Sequence, residues 1–305
     1  MKLYKNFNVS KNHKSSIILI GNFDGLHIGH QKLFKLAKNY KKKFKQKIGV
    51  VTFEPVPKMF FNKKIKNFRI SNIKQKNKIL KNLGVDFIIV KRFDKKFSKI
   101  KSNYFIREIL YKKLNAKYIF VSNNFRFGNK REGNVKQLIK NEKTYNYKII
   151  NPKPLISKNK IISSTLIRGL LKKGDLKKTN ILLNRNWSIE GIVQKGRQQG
   201  KKIGFPTCNI DIQDYVVAMP GVYAVRVYQK NKQNYLKAIA NLGYRPTFNQ
   251  KKILLEVHIF NFTRNLYDKY LSVEFIKFIR KEKKFSNANQ LRKQIQSDLK
   301  TAKRN

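Results

Sequence analysis

The chain has 305 residues, of which 41% are hydrophobic and 12% aromatic, which is enough apolar material for two folded domains. Its single Cys excludes a disulfide framework and a Cys-rich zinc site. No apolar run reaches the roughly 20 residues of a membrane-spanning helix or the roughly 7–15 of a signal-peptide core. We therefore expect a cytoplasmic protein without a membrane partner.

The charge balance is extreme, with 70 Lys and Arg against 16 Asp and Glu and a formal net charge of +54. Such a charge raises the hypothesis of nucleic-acid binding, because basic side chains on phosphates bind without sequence specificity. However, 56 of the basic residues are Lys, and they are scattered rather than held in one block. A codon bias towards A and T explains this composition without nucleic acid as the main partner. The charge still attracts small anionic ligands.

The first half of the chain alternates short apolar runs with segments that have apolar residues at helical spacing. This order is typical of a parallel sheet covered by helices, in which ligands bind at the carboxyl ends of strands. The predicted strands are Ser16–Ile20, Ile48–Phe53, Phe87–Val90 and Tyr118–Val121, and the predicted helices are Gln31–Lys43, Lys74–Leu83 and Ser102–Leu114.

The pattern changes after residue 184, so we expect one domain over residues 1–184 and another over 185–305. Two short helices, Ser163–Leu171 and Lys177–Leu183, precede the change. The strand-like segments that follow are separated by turn residues, which predicts an antiparallel barrel or sandwich before an amphipathic helix over Ala288–Ala302. These segments are Ile189–Val193, Val222–Tyr228, Leu236–Asn241, Leu254–Phe260 and Leu271–Phe278.

The segment Gly21-Asn22-Phe23-Asp24-Gly25-Leu26-His27-Ile28-Gly29-His30 stands between the first predicted strand and the first predicted helix. Two His residues three apart at a helix N-terminus can face one phosphate, which the free N–H groups also bind. Imidazoles can donate to an α-phosphate as charge builds up during nucleotidyl transfer. A zinc pair and two unrelated loop histidines are the alternatives, and the zinc pair has no third ligand nearby.

The longer frame resembles the adenylyltransferase module of bacterial bifunctional riboflavin kinase/FAD synthetases. Thr52-Phe53-Glu54-Pro55, Asn124-Phe125-Arg126-Phe127-Gly128 and Ile162-Ser163-Ser164-Thr165-Leu166-Ile167-Arg168 follow in that family's order. The resemblance implies that His27 and His30 stabilise the α-phosphate. It implies further ATP contacts by Gly21, Phe23, Gly29, Ser164, Thr165 and Arg168, and flavin contacts by Asn124, Phe125 and Phe127. Helix capping is the alternative for the two hydroxyls, and core packing is the alternative for the two rings.

A Gly-rich stretch of the second half leads into Gly204-Phe205-Pro206-Thr207-Cys208-Asn209. Glycines free backbone N–H groups to wrap phosphates, and Thr and Asn oxygens suit Mg²⁺, although a plain turn is the alternative for residues 207–209. The stretch resembles the riboflavin kinase module of the same family, as do the segments Pro220-Gly221-Val222-Tyr223, Asn241-Leu242-Gly243 with Arg245-Pro246-Thr247-Phe248, Leu255-Glu256-Val257-His258 and Arg280-Lys281-Glu282.

This second resemblance implies a set of kinase residues. Glu256 is the implied general base that takes the proton of the ribityl 5′-hydroxyl. His258 is interpreted as an outward strand residue rather than a catalyst. The other implied roles are ATP binding by Gly196, Gly200, Gly204 and Pro206, Mg²⁺ binding by Thr207 and Asn209, and flavin or nucleotide binding by Arg280.

The resemblance covers nearly the whole chain and implies a Rossmann-like α/β nucleotidyltransferase sheet followed by a Greek-key antiparallel β-barrel with a terminal helix. The implied reactions are phosphorylation of riboflavin to FMN by the second domain and adenylylation of FMN to FAD by the first. Riboflavin, FMN, FAD and ATP are then the partners, and Mg²⁺ serves both steps.

Three alternatives stay open from the sequence. Val56 stands where the family usually has His, and Asn124 where many members have Asp, so the kinase half alone could be active. A basic nucleic-acid-binding protein could retain an old enzyme frame. A class I aminoacyl-tRNA synthetase shares the His-Ile-Gly-His signature, but its lysine-rich second motif is missing from the expected frame.

Overall fold

The structure is a computed structural model that describes residues 1–157, 159–196, 200, 203–229, 234–246 and 251–304. Most of the predicted Gly-rich stretch between Gly196 and Gly204, together with Thr247 and Phe248, lies outside these residues. The chain forms two compact units. The first unit comprises Met1–Lys66 and Ile73–Ile162, and the second comprises Asn67–Asn72 and Ser163–Asn305.

The first unit contains a six-stranded parallel sheet, as the sequence predicts, with the strand order β1-β4-β3-β2-β5-β8. The chain runs from β2 outward to β3 and β4 on one side, and β5 lies on the other side. The strand order therefore reverses next to β2, which is where such sheets bind ligands. The strands are β1 (Lys2–Tyr4), β2 (Ile17–Ile20), β3 (Ile48–Glu54), β4 (Phe87–Arg92), β5 (Tyr118–Phe120) and β8 (Lys148–Ile150).

Helices cover both faces of this sheet, and β2 shows why its sequence is apolar throughout. Ile18 and Ile20 pack into one core, whereas Ile17 and Leu19 pack into the other, so all four residues are buried. The helices are α1 (Ile28–Phe44), α2 (Pro57–Phe61), α3 (Ile73–Asn82), α4 (Lys95–Ser98), α5 (Ser102–Tyr104, continued by a π-helix over Phe105–Lys113), α6 (Val135–Lys140) and α7 (Glu142–Tyr145).

Two short antiparallel pairs complete the first unit. They are β6 (Arg126–Phe127) with β7 (Gly133–Asn134), and β9 (Ile156–Ser157) with β10 (Lys160–Ile161).

The second unit begins with α8 (Ser164–Lys172) and α9 (Leu176–Leu183) and continues as a closed six-stranded barrel in the order β11-β12-β15-β14-β13-β16. Every strand pair in it is antiparallel, and β16 returns beside β13 after the β13–β14–β15 meander, which is a Greek key. The strands are β11 (Ser188–Gln194), β12 (Cys208–Asp211), β13 (Gly221–Gln229), β14 (Leu236–Pro246), β15 (Lys251–Ile259) and β16 (Tyr270–Lys281).

The terminal helix α10 (Ala288–Lys303) packs on the outside of the barrel. Its Leu299 and Ala302 contact Val222, Ala224 and Ile239, which lie on β13 and β14. The predicted fold is thus confirmed in both halves. Among the described residues, no helix is both long and apolar enough to cross a bilayer.

Candidate active sites

A cavity of about 320 Å³ lies in the second unit, between the barrel and α10. It brings together five residues that the sequence singles out, from three strands and the Gly-rich stretch. These are Gly200, Thr207, Asn209, Glu256 and Arg280. Among the described residues, Gly196, Gly204 and Pro206 do not line it.

Three polar residues form a row across neighbouring strands in this cavity. Asn209 on β12 pairs in register with Glu256 on β15, which pairs in turn with Asn241 on β14. Directly paired residues of antiparallel strands project from the same face of the sheet. The register therefore places a carboxylate between two amides on one face, and all three residues line the cavity.

Within this row, the Asn209 side chain gives the clearest indication of a bound ligand. Asn209 is 5% exposed, and its Oδ1 has no hydrogen-bond partner among the described residues. A buried amide oxygen without a partner costs free energy unless a ligand completes it. Thr207 adds a hydroxyl to the same cavity, so the donors are the neutral oxygens that Mg²⁺ accepts beside phosphate and water. These residues fit a Mg²⁺ ion.

Two glycines of the Gly-rich stretch are explained by close approach. A Cβ at Gly196 would overlap the amide nitrogen of Asn209, and a Cβ at Gly200 would overlap the carbonyl oxygen of Phe205.

His258 contacts the same stretch, since its Nδ1 lies 2.8 Å from the carbonyl oxygen of Pro206. Since a carbonyl oxygen only accepts, Nδ1 carries the proton. The ring lines the cavity, and the interpretation of His258 as an outward strand residue rather than a catalyst stays a prediction.

Apolar side chains from α10 and from the segment before it also line the cavity. They are Phe285, Leu291 and Ile295. Arg280 also lines the cavity, but its guanidinium is held by Asp298 of α10 through Nε and Nη2 at 2.7–3.0 Å. Arg280 therefore joins α10 to the barrel, and its implied flavin contact stays a prediction.

The predicted His loop of the first unit follows β2, at the point where the strand order reverses. His27 caps α1 and is buried, and its Nδ1 accepts the backbone N–H of His30 at 3.4 Å. The two imidazole rings stack with their centroids 3.7 Å apart. Nδ1 of His30 is buried and has no partner among the described residues. Two stacked rings at a helix N-terminus, where the buried Nδ1 of His30 has no partner among the described residues, suit an anionic ligand.

The pKa of His30 lies well below its usual range, first because the ring is buried and then because His27 and Lys76 are close. His30 is therefore neutral at physiological pH and can donate from only one ring nitrogen. Lys76 on α3 is 1% exposed, and its Nζ donates to the carbonyl oxygen of Asn22 at 2.8 Å. Lys76 is not among the residues predicted from the sequence, because one Lys among 56 carries no signal of burial.

The Ser-Ser-Thr segment lies at the start of α8, in the second unit. Ser163 is the residue that caps the helix, since its hydroxyl accepts the N–H of Leu166. Ser164 and Thr165 occupy the first turn, and Thr165 is exposed, so the capping alternative does not apply to them. Arg168 lies one turn further, with its guanidinium carbon 3.7 Å from the ring centroid of Phe68 and its Nε donating to the Phe68 carbonyl oxygen at 2.7 Å.

The predicted flavin contacts of the first unit differ in their exposure. Asn124 is exposed and accepts a hydrogen bond from the Ser122 hydroxyl. Phe127 is buried in the core, and Phe125 stacks on it with the centroids 5.5 Å apart. A further cluster of aromatic side chains, which was not predicted from the sequence, follows β3. It includes Phe61, whose exposed fraction is 68%.

Comparison with known proteins assigns both units. Residues 9–166 match the family model for FAD synthetase, and residues 183–305 match the model for riboflavin kinase. A bifunctional riboflavin kinase/FMN adenylyltransferase of Buchnera aphidicola from Schizaphis graminum is 39% identical over 100% of this chain and 98% of its own length. The chain belongs to the bifunctional riboflavin kinase/FMN adenylyltransferase family.

Other members of this family extend over the same length. The enzyme of the same description from Escherichia coli K12 is 34% identical over 94% of this chain and 91% of its own length. A solved structure described as a macrolide-efflux protein from Streptococcus pneumoniae has a TM-score of 0.84 at 27% identity. It matches over 99% of this chain and 98% of its own. Each of the two units thus has a counterpart in a solved structure.

Proposed function

We propose that the domain over residues 185–305 transfers the γ-phosphoryl group of ATP to riboflavin, and that the domain over residues 1–184 transfers the AMP moiety of a second ATP to FMN. The products are FMN and ADP in the first step, and FAD and pyrophosphate in the second. The observation that carries the proposal is the barrel cavity, where a carboxylate, a buried amide oxygen without a partner among the described residues, and apolar side chains of α10 lie together.

In the kinase step, the apolar side chains of the cavity bind the flavin ring, and the polar row contacts the ribityl chain. Glu256 accepts the proton of the 5′-hydroxyl while that oxygen bonds to the γ-phosphorus and ADP leaves. The glycines at 196, 200 and 204 let the backbone approach the phosphates, together with Pro206. Thr207 and Asn209 hold Mg²⁺, which when bound offsets the negative charge on the phosphates.

In the adenylyl step, the FMN phosphate itself attacks the α-phosphorus, so no nucleophile from the protein is needed. His27 and His30 stabilise the charge that develops on the α-phosphate, within the loop that Gly21, Phe23 and Gly29 shape. Ser164, Thr165 and Arg168 bind the β- and γ-phosphates, which leave as pyrophosphate. Asn124, Phe125 and Phe127 contact the flavin, and Mg²⁺ serves this step too.

The test separates the two steps in one protein. Purified protein is mixed with riboflavin, ATP and Mg²⁺, and riboflavin, FMN and FAD are separated by chromatography over time. FMN that appears first and FAD that appears later supports both activities. FMN that never becomes FAD favours the alternative that only the kinase half is active, as the departures at Val56 and Asn124 suggest.

Four variants assign the sites. We expect Glu256→Gln to abolish FMN formation from riboflavin while FAD formation from added FMN continues. His30→Ala should have the reverse effect. Glu274→Gln, on another barrel strand, and His13→Gln, which lies outside the His loop, are the matched controls. If no flavin is turned over or bound by the unmodified protein, the proposed function is wrong.

A further inference from the structure

Residues Asn67–Asn72, named the strap below, belong to the second unit although the chain on both sides of them belongs to the first. The backbone of the strap pairs with the segment after β12. The N–H of Arg69 donates to the Asp214 carbonyl oxygen at 2.8 Å, and the N–H of Val216 donates to the Arg69 carbonyl oxygen at 2.7 Å. Two such hydrogen bonds form an isolated parallel bridge between Arg69 and Tyr215.

Side chains add to this anchoring. Nε1 of Trp187, which is 2% exposed, donates to the Ile70 carbonyl oxygen at 2.9 Å. The Asn72 amide lies 3.4 Å from the Tyr270 hydroxyl, and the Asn67 amide donates to the Gln213 carbonyl oxygen. Because Ile70 and Arg69 are themselves buried, water does not compete for the hydrogen bonds of these two residues, and the strap has a defined conformation on the barrel.

The strap in turn holds Arg168. The guanidinium of Arg168 stacks on the Phe68 ring at 3.7 Å, and its Nε donates to the carbonyl oxygen of the same residue at 2.7 Å. Stacking and the hydrogen bond together restrict both the position and the plane of the guanidinium. A long Arg side chain otherwise loses much rotamer freedom when it binds a phosphate.

We propose that Phe68 is a positioning residue for Arg168, and that the strap carries this positioning from the barrel. This inference rests on the proposed role of Arg168 in binding the ATP phosphates during FMN adenylylation. Through the strap, the fold of the barrel therefore orients a residue that the adenylyl reaction uses.

The test measures FAD formation from added FMN at varied ATP, and FMN plus FAD formation from riboflavin serves as an internal control. Phe68→Ala removes the stacked ring but keeps the backbone carbonyl. We expect the KM for ATP in FAD formation to rise about threefold to tenfold with a smaller change in kcat, as for a lost cation–π contact. The kinase step should not change. Phe68→Tyr keeps an aromatic ring and should have the ATP KM of the unmodified protein. Phe68→Leu also lacks the ring but has a larger side chain than Ala, and should raise the KM as Phe68→Ala does.

A double-mutant cycle separates positioning from a general effect on folding. If Phe68 acts through Arg168, the variant with both Phe68→Ala and Arg168→Ala has the activity of Arg168→Ala alone. An unchanged KM in Phe68→Ala, with Arg168→Ala impaired, overturns the inference and leaves the proposed function standing. Unchanged FAD formation in Arg168→Ala overturns the proposed role of Arg168 itself.

Anchoring by the barrel has its own test. Trp187→Phe removes the donor to Ile70 and keeps an aromatic ring in the buried position. We expect a rise of the ATP KM in FAD formation in the same direction as for Phe68→Ala but smaller, about twofold, as for one neutral hydrogen bond. A KM equal to that of the unmodified protein, in a variant that keeps its kinase activity, would refute the anchoring.

Discussion

The ion pair between Arg280 and Asp298 gives the sharpest stability prediction. Asp298 has a side chain 5% exposed and receives Nε and Nη2 of Arg280 at 2.7–3.0 Å, while the Arg280 side chain is 16% exposed. Asp298→Ala leaves the guanidinium buried without its counter-charge. Breaking a buried pair in this way costs about 3–5 kcal/mol, because the remaining charge keeps its desolvation penalty. We expect a loss of this size in the free energy of unfolding of the second unit.

The chain contains its own probe for this measurement. Trp187 is the only tryptophan, is buried in the second unit, and packs on Phe275 with the ring centroids 4.6 Å apart. Urea unfolding followed by its fluorescence reports on the barrel rather than on the first unit. Ser297→Ala, at an exposed neighbouring position of α10, is the matched control and should change the free energy by less than about 0.5 kcal/mol.

A double substitution tests the physical reason. Replacing both partners, as in Arg280→Met with Asp298→Leu, removes both charges and should cost much less than Asp298→Ala alone. The loss in Asp298→Ala should also persist in high salt, since buried charges are little screened. A loss below about 1 kcal/mol in Asp298→Ala, or an equal loss in the double variant, would refute the reasoning from an unpaired buried charge.

Three further predictions concern single side chains. Below pH 6.5 His30 is protonated in the unfolded chain but not in the folded chain. The free energy of unfolding therefore decreases as the pH is lowered, by up to about 1.4 kcal/mol per pH unit. His30→Gln should remove this slope in unfolding followed by circular dichroism, and an unchanged slope contradicts the burial argument. Burial raises the pKa of the Cys208 thiol from 9.0 to about 11. Iodoacetamide at pH 8 should therefore modify Cys208 about 100-fold more slowly in the folded than in the urea-unfolded protein. Equal rates would contradict the raised pKa. Asn209→Leu removes Oδ1 at similar volume, so binding of Mn²⁺ with ADP to the kinase site, followed by calorimetry, should be lost while FAD formation from FMN continues. Retained binding would contradict the role of this oxygen.

The sequence by itself determined the strands and helices that repeat a local pattern. The run Ile17–Ile20 is apolar at every position because both faces of β2 are covered. The sequence of α10 has apolar residues at helical spacing on the face that packs against the barrel. The edge strands β1 and β8 were missed because each has three residues of which at most one is fully buried, so neither shows the apolar run by which the equally short β5 was predicted. Motif spacing also placed His27 and His30 correctly at the N-terminus of α1.

The tertiary structure alone decided which distant residues act together. Asn209 and Glu256 share one face because strands β12 and β15 pair in register, which no local pattern encodes. The partner of Arg280 and the support of Arg168 depend likewise on packing between segments far apart in the chain. Local periodicity reports which side of an element is buried, whereas partner choice depends on the register and packing of whole elements. For this reason the motifs could be found in the sequence, while the residues that hold them in place emerged only from the fold.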